Sequence, residues 1–205
     1  MSSDVADPIT RLRASLAPAS GSELPEHAEP GHRSRQAAVA AILRGAGDDL
    51  ELLLIRRAER TGDVWSGHVA LPGGRREPHD DDLIATASRE VMEEIAVDLS
   101  TAGCELLGAL PSLLPMNPAL PPISVQPYVW HVPRGIDPRT SDEVAAVAWI
   151  SLEHLRDTAH HLEHRLVTPD GIERAFPAIH VGGDVPLWGM THRIVATLLE
   201  VLDPR

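Results

Sequence analysis

The sequence contains no lysine, because all 18 of its basic residues are arginine. A P-loop needs a lysine at a fixed position, and Schiff-base catalysis needs a lysine amine. Both kinds of chemistry are therefore excluded. Acidic residues also outnumber basic ones, and the formal net charge is −12. A phosphorylated substrate would need local arginines or metal ions to offset the repulsion.

Cysteine and long apolar runs are scarce as well. The single cysteine, Cys104, cannot form an internal disulfide, and no second cysteine supports a zinc cluster. No apolar run approaches the roughly 18 residues of a membrane span, and the N-terminus lacks the apolar core of a signal peptide. The acidic balance disfavours binding to nucleic-acid backbone or anionic membrane. These absences predict a soluble, cytoplasmic protein with neither partner.

The length of 205 residues allows one sizeable core and a small appendage. Residues 1–33 are rich in alanine, serine, proline and glutamate, which predicts a flexible arm or one short helix carrying Ile9, Leu12 and Leu16. This composition offers little to bury, so we expect the arm to be dispensable for chemistry. Residues 34–205 are predicted to form the compact domain.

Several apolar runs in this domain predict strands. "QAAVAAIL" and "ELLLIRR" are separated by "RGAGDD", which indicates a hairpin, and "RLVTPDGIERAFPAIHV" indicates another around "PDG". "CELLGALPSLLP", "ISVQPYVWHV" and "EVAAVAWI" predict three more strands. "DLIATASREVMEEIA" and "WGMTHRIVATLLEVL" have helical spacing. The pattern indicates an α/β or α+β fold with helices on both faces of a sheet.

A third helix is predicted to begin at Ser151, a good N-cap residue. His160, His161 and His164 follow it, and two of them are four residues apart, a spacing that can bind a transition metal. No fourth ligand accompanies them in the sequence. We therefore predict a histidine-rich exposed helix here rather than a metal site.

The stretch "ATASREVMEEIAV" places three glutamates on one helix face. Glu90, Glu93 and Glu94 are three and four residues apart, so their carboxylates project to the same side and repel one another by a few tenths of a kcal/mol per pair. A divalent cation such as Mg²⁺, which prefers oxygen ligands, would make this arrangement favourable. A solvated acidic face is the alternative explanation.

The segment "LPGGRREPHDDD" precedes this helix, and the whole stretch resembles the Nudix box, G-x5-E-x7-R-E-U-x-E-E-x-G-U. The matching residues are Gly74, Arg89, Glu90, Val91, Glu93, Glu94 and Val97. Three departures occur: Asp80 replaces a glutamate, one extra residue precedes Arg89, and Ala96 replaces a glycine. Because alanine adopts a left-handed C-cap only at a cost, we expect the helix to continue further or to end differently.

The first two departures resemble the branch of the family that contains coenzyme A diphosphatases. "LLLIRRAERTGDVWSGHVALPGG", "PPISVQPYVW", "SDEVAAVAWISL" and "LWGMTHRI" look like the same branch, so the resemblance covers roughly residues 35–202. His68 stands where that branch usually carries glutamine. The resemblance makes coenzyme A or acyl-coenzyme A the leading substrate.

What the Nudix resemblance implies is an α/β/α sandwich with a mixed sheet that hydrolyses a pyrophosphate bond with Mg²⁺ or Mn²⁺. Glu90, Glu93 and Glu94 are the implied metal ligands, and the carbonyl of Gly74 could be another. Glu93 or Glu94 is also a candidate general base. Arg89 would hold a glutamate in place through a bidentate pair rather than touch substrate.

The implied substrate is a small nucleotide derivative. Coenzyme A would yield adenosine 3′,5′-bisphosphate and phosphopantetheine. Alternatives are ADP-ribose, NADH or another nucleoside diphosphate derivative, and a non-catalytic nucleotide-sensing module on the same fold. Whether the protein forms a homodimer is left open by the sequence.

Other polar residues are weaker candidates for substrate contact. Arg57 and Arg60 could contact a phosphate or simply carry surface charge, and Trp65 could stack on a base or anchor its loop. Glu143 is a candidate base outside the helix, with a solvated loop acid as the alternative. Asp80 either bridges to the helix or is an exposed loop acid.

Trp188 and Arg193 lie in the segment predicted as the last helix. We interpret them as packing and capping residues rather than as part of a site.

Overall fold

A computed structural model describes residues 7–21, 35–61, 65–115, 123–168 and 171–203. Four α-helices occur in these ranges: α1 Pro8–Ser15, α2 Leu83–Ile95, α3 Leu152–Arg156 and α4 Gly189–Leu202. The ten strands of these ranges are β1 Arg35–Arg44, β2 Glu51–Arg57, β3 Val69–Ala70, β4 Gly73–Arg75, β5 Glu105–Ala109, β6 Ile123–Val132, β7 Val144–Ser151, β8 His161–Val167, β9 Glu173–Ile179 and β10 Leu187–Trp188. No helix in the described ranges is both long enough and apolar enough to cross a membrane.

Among the described residues, seven strands form one mixed sheet in the order β3-β2-β1-β6-β5, with β4 pairing with β1 and β7 pairing with β2. The β1–β6 pair is parallel and the other pairs are antiparallel. Strands β8, β9 and β10 form a second, three-stranded antiparallel sheet. Both predicted hairpins, β1–β2 and β8–β9, are confirmed.

Two apolar clusters lie on opposite faces of the large sheet. Side chains alternate along a strand, so Leu52 and Leu54 of β2 join the cluster with α1, α3 and α4, whereas Leu53 and Ile55 join the cluster with α2. This alternation produces a sheet covered by helices on both faces. The predicted α/β sandwich with a mixed sheet is confirmed.

Helix α1 is part of this core. Asp7 caps it by accepting hydrogen bonds from the backbone N–H groups of residues 9 and 10, and Pro8 occupies its first turn. Ile9, Leu12 and Leu16 are buried in the cluster that contains α4. The prediction of a short helix here is confirmed, but the expectation that residues 1–33 offer little to bury is wrong for the described part.

The histidine-rich segment is not a helix. His160 ends a 3-10 turn, Thr158–His160, and His161 and His164 lie on β8. A pairing partner explains the difference, because β9 aligns with the whole of β8. The rings of His154 and His160 stack with centroids 3.7 Å apart.

The α2 helix ends where the family pattern places its glycine. Its C-cap is Ala96, with φ 55° and ψ 33°, and the N–H of Ala96 bonds to the carbonyl of Met92. The expectation that alanine would lengthen the helix or change its end is therefore wrong. The backbone N–H of Arg139 bonds to the carbonyl of Ile95 at 2.9 Å and helps to fix this end.

We expect Ala96→Gly to raise the free energy of unfolding by about 0.5–1 kcal/mol. Left-handed backbone costs an L-residue roughly 1–2 kcal/mol, and glycine's greater freedom in the unfolded chain offsets part of that gain. Chemical denaturation would measure the change. Ala85→Gly, inside the same helix, is the matched control and should lose about 0.5–1 kcal/mol. A lower stability for Ala96→Gly would contradict the strain argument.

Candidate active site

The site is built where α2 meets the glycine turn at β4. Gly73 and Gly74 pair with Val39 and Ala38 of β1, and Gly73 has φ 148°. A Cβ on Gly73 would collide with the β1 backbone, and one on Gly74 would collide with the Glu90 carboxylate. The two glycines therefore allow the strand, the turn and the acidic helix to approach one another closely.

Glu94 is the most buried carboxylate of α2, with a side chain that is 4% exposed. It accepts a 2.9 Å hydrogen bond from the backbone N–H of Gly73, and Arg57 Nη1 lies 3.9 Å from its Oε1. Burial raises the pKa of Glu94 to about 7, and the nearby carboxylates of Glu90 and Glu143 act in the same direction. The backbone hydrogen bond and Arg57 oppose that rise.

Glu90 lies on the same side of α2, one turn before Glu94. Its side chain is 15% exposed, and Arg89 Nη2 lies 3.1 Å from its Oε1. Burial raises the pKa of Glu90, and the positive charge of Arg89 only partly opposes it. Glu93 differs, because its side chain is 58% exposed and it pairs with Arg89 Nη1 at 3.0 Å.

Arg89 connects this cluster to the loop before α2. Its Nε and Nη2 donate to the two oxygens of Asp80 at 2.9 and 3.1 Å, and Nη2 also donates to the carbonyl of Arg75. The bidentate partner is thus an aspartate, not a glutamate as predicted. Glu90 and Glu93 receive single contacts from the same guanidinium.

Asp80 bridges to the helix, which decides between the two alternatives left open by the sequence. Its side chain is 2% exposed and also accepts hydrogen bonds from the backbone of Glu77 and the hydroxyl of Thr86. These bonds, led by those from Arg89, lower its pKa well below the ordinary aspartate value. Thr86 was missed by the sequence analysis. The sequence feature that could have pointed to Thr86 is its position three residues before Arg89, on the same helix face.

The weaker candidates form a rim beside Glu94. Arg60 Nη1 pairs with Glu143 Oε1 at 3.2 Å, and the backbone N–H of Arg60 bonds to the hydroxyl of Ser66. The carbonyl of Glu143 accepts from the N–H of Ala58, so the two loops are joined. The structure brings these side chains close to the acidic helix, and about half of each ion-pair side chain is exposed.

Trp65 lies in the loop that leads to β3. It is 38% exposed, and its carbonyl accepts a hydrogen bond from the N–H of His68. The ring of His68 lies 5.1 Å from that of Trp188, which also contacts His164 and Phe176. Trp188 belongs to β10 and precedes α4, so its packing role is confirmed outside the predicted helix.

Arg193 does lie in α4, and its Nη1 donates to the carbonyl of Leu114 at 3.0 Å. This bond ties the helix to the segment before residue 116. Residues 116–122, which follow this segment, fall outside the described ranges.

The cluster has the donor set that a hard divalent cation needs. The carboxylates of Glu90, Glu93 and Glu94 and the carbonyl of Gly74 offer the kind of oxygen atom that such a cation prefers, and the two most buried carboxylates would gain most from a compensating positive charge. Within the described residues, no three acidic, histidine or cysteine side chains already surround a common metal position. The chemistry of these residues suits a divalent cation. In this structure Glu90 and Glu93 are instead paired with Arg89.

Fold and site together define an α/β sandwich protein with an acidic helix and a glycine turn at one end of its sheet. A sequence model of the NUDIX domain matches residues 34–171, well over half of the chain. The chain therefore belongs to the Nudix family, which confirms the resemblance at the level of the family.

Two relatives and one solved structure illustrate the match. The chain is 45% identical over 69 residues to Nudix hydrolase 22, chloroplastic, of Arabidopsis thaliana, covering 33% of this chain and 22% of that protein. It is 39% identical over 95 residues to the uncharacterized Nudix hydrolase NudL of Yersinia pestis (strain Pestoides F), covering 46% and 44%. The chain thus spans less than half the length of these relatives.

The structural likeness is to a MutT/nudix family protein from Enterococcus faecalis. The TM-score is 0.54 at 21% sequence identity, with 89% of this chain and 66% of the other covered. At this identity the likeness concerns the fold alone.

Proposed function

We propose that the protein is a divalent-cation-dependent pyrophosphohydrolase acting on a nucleoside diphosphate linked to another moiety. The observation that carries the proposal is the burial of Glu94 beside Glu90, held by the Gly73 amide at one end of the sheet. Arg89 and Arg57 offset the burial of these two carboxylates only in part, because the pKa of each is still raised, so a bound cation would stabilise the pair further. The membership of the Nudix family supports the same conclusion.

The cation would be Mg²⁺ or Mn²⁺, held by Glu90, Glu93, Glu94 and the carbonyl of Gly74. When bound, it would screen the phosphate charge and lower the pKa of a water molecule. Arg89 orients two of these glutamates through its contacts at 3.1 and 3.0 Å, while Asp80 fixes the guanidinium itself. The protein would therefore contribute carboxylates whose positions are fixed by Arg89 and by the glycine turn at β4.

Glu94 is the proposed general base, with Glu93 as the alternative. Its orientation is set by the Gly73 N–H, whereas the Glu93 side chain is largely exposed. A base with a fixed direction can accept the proton of an attacking water without first losing rotational freedom. Arg57 and Arg60 are the proposed phosphate contacts, and Glu143 would hold Arg60 at the rim until substrate arrives.

Coenzyme A or an acyl-coenzyme A is the proposed substrate. The support is the resemblance of "LPGGRREPHDDDLIATASREVMEEIA" and its flanking segments to the coenzyme A diphosphatase branch. Two alternatives follow from the same site: ADP-ribose, NADH or another nucleotide derivative as substrate, or nucleotide sensing without hydrolysis. The intact set of Glu90, Glu93 and Glu94 disfavours the sensing module.

A substrate panel tests the proposal. Purified protein is incubated with coenzyme A, an acyl-coenzyme A, ADP-ribose and NADH in the presence of Mg²⁺ or Mn²⁺, and products are identified by mass. We expect adenosine 3′,5′-bisphosphate and phosphopantetheine from coenzyme A, and no product in excess chelator. Hydrolysis of ADP-ribose or NADH alone would change the substrate, full activity in chelator would overturn the cation, and no hydrolysis at all would favour the sensing module.

A further inference from the structure

A continuous N-terminal segment, residues 7–21, connects the two faces of the sandwich. We call it the N-terminal strap. Its helix α1 packs in the cluster that holds α4, and Arg11 Nη1 donates to the carbonyl of Leu202 at 2.8 Å. Arg13 forms a two-bond ion pair with Glu105 on β5. The first half of the strap is therefore fixed to the face opposite the acidic helix.

The strap then crosses the edge of the sheet. Ala17 forms an antiparallel bridge with Ala109 of β5, and the N–H of Ala109 donates to the carbonyl of Ala17 at 2.9 Å. Gly108 has φ 155°, and a Cβ there would collide with Leu16 and the carbonyl of Ala17. Strand β5 thus has a glycine where the strap passes closest, which permits the crossing.

The end of the strap contacts the other face at the start of α2. The hydroxyl of Tyr128, a fully buried residue of β6, donates to the carbonyl of Ser20 at 2.7 Å. The carbonyl of Gly21 accepts a hydrogen bond from the N–H of Leu83, the first residue of α2. That N–H is one of the donors that a helix start leaves without an intrahelical partner, so the strap supplies a cap.

The contact between the strap and α2 leaves no space for a side chain. Asp82 is the N-cap of α2, and its Oδ1 accepts from the N–H of Ala85 at 2.7 Å. A Cβ added to Gly21 would collide with the carboxyl group and the Cβ of Asp82. Any residue other than glycine at position 21 must displace either the strap or the capping aspartate.

We propose that the N-terminal strap is a positioning element for the acidic cluster, acting through the first turn of α2. The inference rests on the proposed function insofar as Glu90 and Glu94 are taken to be catalytic. Those residues follow Leu83 by two to three helical turns on one continuous helix, so a shift of its first turn is carried to them. The other end of α2 is fixed separately by Ala96 and Arg139.

The test is Gly21→Ala in the full chain, with Gly135→Ala as the matched control because a Cβ at position 135 meets no atom within 4 Å. Two quantities are measured well below the unfolding midpoint: amide hydrogen exchange of the α2 first turn, and kcat and KM on the substrate found with the panel. We expect Gly21→Ala to accelerate exchange at Ala85 and Thr86 at least tenfold and to lower kcat about tenfold, and Gly135→Ala to change neither.

A second variant keeps the test informative if Gly21→Ala fails to fold. Tyr128→Phe removes one hydroxyl and should shift exchange and kcat in the same direction by about threefold. Unchanged exchange in α2 for both variants, or faster exchange with unchanged kcat, would overturn the positioning role. If the wild-type chain hydrolyses nothing but α2 exchange responds as expected, the proposed function fails while the mechanical coupling stands.

Discussion

Glu94→Gln is expected to reduce turnover by about 10²–10⁴-fold while the fold stays intact. Glutamine keeps the size of the side chain and an oxygen that can accept from the Gly73 N–H, but it removes the negative charge and the basic oxygen. Loss of a general base alone accounts for a decrease of this size. Steady-state assays in saturating Mg²⁺ or Mn²⁺ would measure it, with Glu200→Gln on the exposed side of α4 as the matched control.

The same variant should move stability the other way in metal-free protein. Burial raises the pKa of Glu94 to about 7, so between its unfolded pKa and about 7 the folded state binds more protons than the unfolded state. Wild-type stability therefore falls as pH rises through this window, and the loss is complete above about 7. Glutamine carries no such loss, so the free energy of unfolding of Glu94→Gln, relative to that of wild type, should rise from pH 5 to about pH 7 and stay constant above it.

Near-normal turnover of Glu94→Gln would make this carboxylate scaffolding and end its assignment as the base. Glu93→Gln provides a comparison, because the Glu93 side chain is 58% exposed. If Glu93→Gln alone abolishes turnover, the base is Glu93. If both lose stability without metal, the cluster is a structural ion-pair face.

Asp80→Ala is the second variant with a large expected effect, on stability and activity together. The change leaves Arg89, with a side chain only 16% exposed, without its bidentate partner. It also removes the acceptor of the Glu77 N–H and one of the two acceptors of the Thr86 hydroxyl. Breaking such a buried pair costs about 3–5 kcal/mol. Turnover should fall as well, because the guanidinium that orients Glu90 and Glu93 is no longer fixed.

The neighbouring Asp81→Asn is the control for Asp80. Asp81 is exposed, and a surface substitution of this kind changes stability by no more than about 0.5 kcal/mol. Urea denaturation and the same turnover assay would compare the variants. Equal stability of Asp80→Ala and wild type would mean that the remaining glutamates satisfy Arg89 by themselves.

Local patterns in the sequence predicted much of the fold. Apolar runs indicated β1, β2, β5, β6 and β7, and helical spacing indicated α2 and α4, because each pattern is fixed by the element itself. The first half of β8, residues 161–164, was predicted as helix because its pairing with β9 is a tertiary contact that residues 158–164 do not show by themselves.

The site was predictable where the chemistry lies within one segment. Glu90, Glu93, Glu94 and Arg89 are spaced by the helix, so their common location follows from the sequence. The bidentate partner of Arg89 was not predictable. The local sequence is compatible both with an aspartate nine residues earlier and with a glutamate on the next turn. The cap at Ala96 was missed because tertiary contacts such as the bond from Arg139 outweigh its local cost.

The apolar cluster shared by α1 and α4 limits how far the protein can be truncated. The matched domain ends at residue 171 and begins at 34, whereas buried residues of the same cluster come from Ile9 to Leu16 and from Ile194 to Leu202. A chain cut to the matched limits would uncover the apolar side of β2, including Leu52 and Leu54. Such a fragment should aggregate, because an exposed apolar patch of that kind is a liability in solution. The buried core thus includes residues on both sides of the range that the family model matches.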